Sequence, residues 1–420
     1  MSIKELYELF KLHPHISTDS RNVVKGAIYF ALRGDKFDGN RYAAVAIDGG
    51  AVAAVVDRAE VAQAAKYGER MIVVDDVLTT LQQLAAHHRK ELGIKIFAIT
   101  GSNGKTTTKE LTAAVLAQKY RVYATRGNLN NHIGVPLTLL SMDSSTELGV
   151  VEMGASSCGE IALLCSIAQP DYGVVTNIGR AHLDGFGGAE GVKRGKGELL
   201  DWLDRSGGVL FIASENEILN EMVAERPTLQ GLSFSYSLAD GLKHNLEGDY
   251  NSYNIAAAVA IGSHFGVDEA AIKAAIAAYR PTNNRSQLYD TERNRLILDC
   301  YNANPSSMEV ALNNFDEEEF VTNGDKVLIL GDMRELGSWS TEEHQRIIES
   351  CTASNAKRII FVGEEFRKAS ATASAIDPRI ELYESCNELK GELSERAISG
   401  CTILIKGSRG ISLEQIVTLL

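Results

Sequence analysis

The chain predicts an α/β fold of several domains built on largely parallel sheets, and three observations carry that expectation. Short apolar runs recur along all 420 residues, each closed by a charge, a Gly or a polar residue, as buried strands are. Segments with apolar residues at helical spacing separate the runs, and strands alternating with helices give a parallel sheet covered on both faces. One run, Ile94 to Thr100, leads straight into a Gly-rich turn and then into an Ala- and Leu-rich helix over Lys109 to Lys119. In such sheets ligands sit beyond the carboxyl ends of the strands, which is where chemistry is expected.

Length alone calls for two to four domains of ~100–200 residues each. The first unit, residues 1–92, carries the runs Ile28 to Leu32, Ala53 to Val56 and Met71 to Val74. A helix follows over Val77 to Leu92, with Leu78, Leu81, Leu84, Ala85 and Leu92 on its apolar positions and Gly93 as its C-cap. The second unit, residues 93–281, holds the Gly-rich turn and the strands Leu148 to Val151 and Tyr172 to Val175. It ends where an Ala-rich helix gives way to Arg280-Pro281-Thr282-Asn283-Asn284-Arg285. The third, residues 282–420, adds strands at Leu296 to Asp299, Val327 to Leu330, Arg358 to Val362 and Thr402 to Ile405. It has no G-x-G-x-x-G turn, so dinucleotide binding finds no support there.

A formal net charge of −13 disfavours a nucleic-acid or membrane-surface binder, because both partners are anionic. Six scattered cysteines suit reduced thiols better than a disulfide framework or a zinc site. No stretch approaches the ~20 apolar residues of a membrane span, and the N-terminus lacks a basic region followed by an apolar run. A cytoplasmic protein is expected, with a monomer as its working unit.

Gly101-Ser102-Asn103-Gly104-Lys105-Thr106 is the sharpest signal. Its two glycines allow backbone N–H groups to approach phosphate oxygens, and the helix that follows turns its positive dipole end to the same anion. Lys105 suits β/γ-phosphate oxygens and the Thr106 hydroxyl suits Mg²⁺. The spacing departs from G-x-x-x-x-G-K-[ST], since Ile99 stands where the first Gly would be. Glu152, at a strand end, is placed like an acidic Mg²⁺ ligand or else like a solvated carboxylate. His182 follows another strand end and reads as a metal-side or a locally hydrogen-bonded residue. Lys196, on residue type alone, reads as an exposed lysine at a helix start. Asp299 suits a ribose hydroxyl or a turn cap, Arg285 a phosphate or plain surface charge, and Asn251 with Asn254 an adenine edge or a helix cap.

Taken together these segments resemble the Mur ligases over nearly the whole chain. The resemblance rests on Thr18-Asp19-Ser20-Arg21, Ala31 to Gly39, Thr100 to Thr107, Gly127 to Pro136, Glu152-Met153-Gly154-Ala155 and Ala181 to Gly187. In the C-terminal third it rests on Tyr301-Asn302-Ala303-Asn304-Pro305, Leu330 to Gly337 and Lys406 to Gly410. The Tyr301 to Pro305 run with Gly-Asp-Met-x-Glu-Leu-Gly points to the branch of the family that adds D-alanyl-D-alanine, and no Asp-Asn-Pro-Arg signature of the diamino-acid-adding branch occurs. Ahead of Tyr301 the family often has paired Asp residues, where this chain has Leu298-Asp299-Cys300.

The resemblance implies a central P-loop-type parallel-sheet ATPase flanked by an N-terminal α/β domain for the UDP-muramoyl-peptide and a C-terminal Rossmann-like α/β domain. The activity it implies is ATP-dependent ligation of D-alanyl-D-alanine to UDP-N-acetylmuramoyl-tripeptide through an acyl phosphate, in peptidoglycan biosynthesis. Thr100 to Thr107, Asn251, Asn254, Arg285 and Asp299 would then hold ATP. Thr106, Glu152, His182 and Lys196 would serve two Mg²⁺, with Lys196 carbamylated and so turned from a cation into an anionic oxygen ligand. Thr18, Ser20, Arg21, Asn130 and Asn131 would meet the UDP-sugar, and Tyr301 and Asn302 the remaining substrate. Closure of the domains on ATP, with Arg285 near the hinge, is also expected. Two rivals remain: a ligase of the same fold acting on another amino acid or on folate, and a nucleotide-dependent regulatory module that no longer ligates.

Overall fold

The computed structural model describes residues 1–62, 66–246, 248, 250–281, 287–316, 324–371 and 377–420; Arg285 and the turn around it lie outside them. Three parallel-rich sheets follow one another along the chain. The first has four parallel strands in the order Ile16–Ser17, Ile28–Phe30, Ala53–Val56 and Met71–Val73. The helix Val77–Leu92 closes it, started by the Asp76 side chain on the Thr79 N–H and stopped by Gly93 in the left-handed region. This helix buries Val77, Leu81, Leu84 and Ala85 in a core continuous with Ile96, Ala98 and Val151 of the next unit. Full burial of each leucine contributes roughly 1.5–3 kcal/mol, so the first two units share one seam rather than a linker. His88 pins the seam: one ring nitrogen meets the Tyr7 hydroxyl at 3.2 Å and the other the Met142 carbonyl at 2.9 Å.

The central sheet is all parallel and six-stranded, in the order Gln230–Phe234, Val209–Ala213, Tyr172–Val175, Lys95–Thr100, Leu148–Glu152, Val122–Ala124. From Lys95–Thr100 the chain first builds toward one edge and then, at Tyr172–Val175, starts on the other side. The order therefore reverses around Lys95–Thr100, which opens a crevice at its carboxyl end. Two edge strands, Val122–Ala124 and Gln230–Phe234, are half-buried or exposed except at the buried Phe234, and lack the continuous apolar runs by which the inner strands are read. The helix after the Gly-rich turn begins at Lys105, not Lys109, although three consecutive threonines are poor helix formers. Tertiary contacts override the propensity: Thr106 and Thr108 are buried and each hydroxyl has a side-chain partner.

The third sheet runs Gln287–Asp290, Arg295–Asp299, Cys401–Lys406, Asp325–Gly331, Arg358–Val362, Ile380–Tyr383, parallel except for its first, antiparallel edge strand. Its carboxyl ends bring Asp299, Lys406 and the Gly331–Glu335 turn to the cavity that the central crevice opens into. All six cysteines are free thiols. Among the described residues no helix is long and apolar enough to cross a membrane.

Candidate active site

The Gly-rich turn is held from below before it holds anything. The Thr100 hydroxyl donates to the Met153 carbonyl at 2.7 Å, tying the loop strand to the strand that carries Glu152. Ser102 exchanges hydrogen bonds with the backbone of Gly179, and the Asn103 N–H donates to the Asn177 side chain at 3.0 Å. Gly101 (φ 136°) and Gly104 (φ 79°) sit where an L side chain is strained. A Cβ at Gly104 would also stand 2.6 Å from the Asn254 side-chain oxygen. Lys105 folds back over the turn, its ammonium 2.7 and 2.9 Å from the carbonyls of Gly101 and Ser102. The loop amides and the Lys105–Leu116 helix N-terminus thus converge on one side of a cavity of about 1010 Å³.

Glu152 is the buried anion of the site, only 2 % exposed, which overturns its reading as a solvated strand-end carboxylate. It accepts from Thr106 at 3.0 and 3.2 Å and from Asn130 at 2.8 Å, and Lys109 stands 3.5 Å away. A lone buried carboxylate would be costly, and these donors compensate its lost hydration. Carboxylate and hydroxyl oxygens side by side suit a hard divalent cation that takes its other ligands from phosphate and water. Among the described residues no three His, Cys, Asp or Glu side chains converge as a preformed metal cage.

Lys196 departs furthest from its residue-type reading. It is the eighth residue of the helix Ala189–Ser206, not its start, and it is 1 % exposed. Its amine donates to the Ala155 carbonyl at 3.3 Å and lies 5.1 Å from the centre of the Phe186 ring. Burial, with a smaller contribution from the charge of Lys105, lowers its pKa from 10.5 to about 7. The Lys196 amine therefore sits against Ala155, which itself lines the cavity.

His182 adopts the left-handed conformation (φ 53°) at the start of a short helix and lines the cavity. Its Nδ1 is paired with the carboxylate of Glu335, from the third unit. Thr106, Thr107, Asn130, Asn131, Glu152, Asn254, Asp299, Tyr301 and Asn302 line the same cavity. Asn251 does not: its side chain accepts from Asn254 at 2.7 Å, and Asn254 accepts from Thr108 at 2.9 Å, so Asn251 fixes the amide of its neighbour. Asn131 also accepts from the N–H groups of Ile133 and Gly134 where the chain enters the helix Gly134–Leu140. Thr18, Ser20 and Arg21 stand apart from the cavity lining, with Arg21 folded onto Asp19.

Several residues that single-sequence reasoning missed complete the cavity. Lys406 is buried beside Asp299 and bonded to it, so the strand-end acid has a basic partner from a neighbouring strand. Tyr236, Tyr250 and Tyr253 form an aromatic wall near Asn254. Ser306 and Asn304 bridge units: Ser306 accepts from the Arg180 N–H at 2.8 Å, and Asn304 bonds Asn103 of the Gly-rich turn at 2.8 Å. Arg180 is paired with Glu309 and lies 3.5 Å from the buried Glu343. Asn304 and Lys406 alone carried a signal, as part of the Tyr301 to Pro305 and Lys406 to Gly410 runs. A second cavity of about 190 Å³ adjoins the first, sharing His182, Asn302 and Glu335 with it and adding Arg334 and Arg409.

Comparison with known proteins agrees along the length of the chain. The Mur ligase family catalytic domain matches residues 14–89, the Mur ligase middle domain 99–241, and the Mur ligase glutamate ligase domain 284–409. The UDP-N-acetylmuramoyl-tripeptide--D-alanyl-D-alanine ligase of Bacillus subtilis is 35 % identical, over 98 % of this chain and 93 % of its own. A crystal structure of MurF from Acinetobacter baumannii superposes with a TM-score of 0.83 at 29 % identity, covering 96 % of this chain and 92 % of that one. MurF ligase from Thermotoga maritima in complex with ADP gives 0.81 at 26 % identity, covering 97 % of both.

Proposed function

The chain belongs to the Mur ligase family, and from this we infer that it joins D-alanyl-D-alanine to UDP-N-acetylmuramoyl-tripeptide at the expense of ATP, a step of peptidoglycan synthesis. The observation that carries the reading is one cavity bounded by the phosphate-type loop of the central sheet on one side and by Asp299, Tyr301 and Asn302 of the third unit on the other. The three units, taken as residues 1–92, 93–281 and 282–420, divide the work between muramoyl-peptide, nucleotide and dipeptide.

In this reading Lys105 and the loop amides neutralise the β- and γ-phosphates, and Asp299 receives the ribose. Asn254, held by Asn251 and walled by Tyr250 and Tyr253, receives the adenine. The tripeptide's terminal carboxylate attacks the γ-phosphorus and ADP leaves. The dipeptide amine then attacks the acyl phosphate, loses a proton, and expels inorganic phosphate as the amide forms. Positioning and charge neutralisation account for most of the rate in such transfers. Mg²⁺, when bound, supplies Lewis-acid stabilisation of charge on the phosphates. Thr106 and Glu152 would hold it, with His182 and a modified Lys196 serving a second ion. The smaller cavity, with the Arg334 and Arg409 guanidinium groups, suits the carboxylate end of a dipeptide. Asn130 and Asn131 face the muramoyl-peptide, and Thr18, Ser20 and Arg21 are assigned to the uridine end on resemblance alone.

Carbamylation of Lys196 needs its neutral amine, which adds CO₂ and releases a proton to become an anionic carbamate. Burial supports this, because it leaves about half the amine neutral at pH 7. Its nucleotide substrates, ATP and a UDP-linked peptide, favour a cytoplasmic enzyme. A coupled assay for phosphate release, with ATP and the L-lysine and meso-diaminopimelate forms of the UDP-tripeptide, tests the function. D-alanyl-D-alanine should drive turnover at least ~100-fold faster than any amino acid in a panel, as expected where substrate polar groups are matched by the site. Equal turnover with a single amino acid or with a folate would favour the same-fold rival, and ATP binding without turnover the regulatory module.

A further inference from the structure

The contact between His182 and Glu335 crosses from the central unit to the third, and both residues hold backbone conformations that L residues seldom adopt (φ 53° and 62°). Strain at two facing residues persists only where the surroundings over-determine it. Here they do: the Asp184 N–H donates to the Glu335 carbonyl at 3.2 Å, and Gly337, also at positive φ, lies against the Asp184 side chain. Nearby, Trp339 lies close to Gly188. The turn Asp332–Glu335 is itself braced. Asp332 accepts from the N–H groups of Glu365 and Phe366 at 3.0 and 2.9 Å, and the Arg334 N–H donates to Ser408 at 3.0 Å. Glu335 is thus presented by a rigid support, and its carboxylate meets one particular nitrogen of the imidazole.

We propose that Glu335 is a positioning residue for His182, fixing from the third unit the ring nitrogen that the central unit offers to the cavity. A carboxylate can only accept, so in the neutral ring the proton sits on Nδ1 and the lone pair on Nε2. A carboxylate behind a ligating imidazole in this way sets its tautomer and orientation and increases its basicity. Since the two residues belong to different units, the histidine is correctly presented only when those units are docked. Docking then completes the metal side of the site in the same movement that brings Asp299 and Asn302 to the loop. The proposal rests on the reading of His182 as a metal-side ligand, and it adds a residue and a coupling to that reading.

The test compares Glu335→Ala, Glu335→Gln and His182→Ala with the wild type by two measurements that need no turnover. The first is ¹⁵N NMR of the His182 ring in ADP-bound, metal-free protein: the wild type should hold the Nδ1–H tautomer, and Glu335→Ala should lose it. The second is Mn²⁺ affinity in the presence of ADP, read by electron paramagnetic resonance. It should fall about 10-fold or more in Glu335→Ala. Glu335→Gln, whose amide oxygen still accepts from Nδ1–H, should recover much of the loss. In a His182→Ala background, Glu335→Ala should cost nothing further. Unchanged Mn²⁺ affinity or an unchanged tautomer in Glu335→Ala overturns the proposal, as does a full additional loss in the double variant. Thermal unfolding of each variant separates misfolding from these effects. If the wild type failed to use D-alanyl-D-alanine while Glu335→Ala still weakened Mn²⁺, the substrate assignment would fall and this inference would stand.

Discussion

Replacing Lys196 with Met should make the protein more stable and nearly inactive. The amine is buried, and its pKa falls from 10.5 to about 7, so holding the ammonium form in the folded protein costs roughly 5 kcal/mol relative to water. Its compensation is weak: one long hydrogen bond to the Ala155 carbonyl and a ring contact with Phe186, together worth about 1–2 kcal/mol. Methionine keeps most of the stem packing and removes the charge, so a net gain of about 3–4 kcal/mol is expected in CO₂-free buffer at pH 7. The pH dependence has a definite sign. The folded-state value lies below the unfolded one, so between about pH 7 and 10.5 the unfolded chain binds the extra proton. Wild-type stability should therefore rise across that window, and Lys196→Met should lose that part of the rise. Urea unfolding at several pH values measures both. Turnover should drop at least ~100-fold, since a group stabilising charge at a phosphoryl-transfer site is lost. Bicarbonate added with Mg²⁺ and ADP should stabilise the wild type and leave Lys196→Met unmoved. A variant less stable than wild type by more than about 1 kcal/mol in CO₂-free buffer would refute the reasoning, because it would mean that the amine is favourably paired. Full, bicarbonate-independent activity of Lys196→Ala would refute the carbamate.

Gly104→Ala should weaken ADP binding at least ~10-fold by calorimetry and lower stability by about 1–3 kcal/mol, since the new Cβ is both strained and pressed against Asn254. Thr106→Val removes a donor from a buried carboxylate and should cost about 1–3 kcal/mol in denaturant unfolding, with Mg²⁺-dependent nucleotide affinity falling as well. Burial lowers the pKa of His88, so the wild type should be at full stability above pH 6.5 and lose it progressively on acidification below that value. His88→Gln should flatten that limb in a pH series of thermal melts. Arg180→Ala should leave the buried Glu343 short of a counter-charge and loosen the docking of the third unit. Small-angle scattering should report expansion, and Glu343→Gln in the same chain should restore compaction.

What was legible in the sequence is what one short segment can specify. The inner strands are read from their apolar runs, and the helix Val77–Leu92 from its periodicity and Gly93, because each signal is local. The Gly-rich turn is equally local: two glycines at positive φ followed by Lys105 and Thr106 constrain one another within six residues. Edge strands such as Gln230–Phe234 escape, since an exposed strand needs no apolar run. Lys196 escapes for a different reason. Its burial is decided by Phe186 and Ala155, which precede it by 10 and 41 residues, and nothing in Arg194-Gly195-Lys196-Gly197 records that both will cover it. The same holds more strongly between units. Asn103 with Asn304, Arg180 with Glu309 and His182 with Glu335 are pairs separated by 201, 129 and 153 positions, and neither half records which partner it will meet. Resemblance to a family narrows where such residues stand but not which atoms meet. Those contacts shape the cavity: the Gly-rich loop faces Asp299, Tyr301 and Asn302 because a second sheet turns its carboxyl ends toward it. The residues that bring the sheets together therefore bear on the site as directly as the loop does.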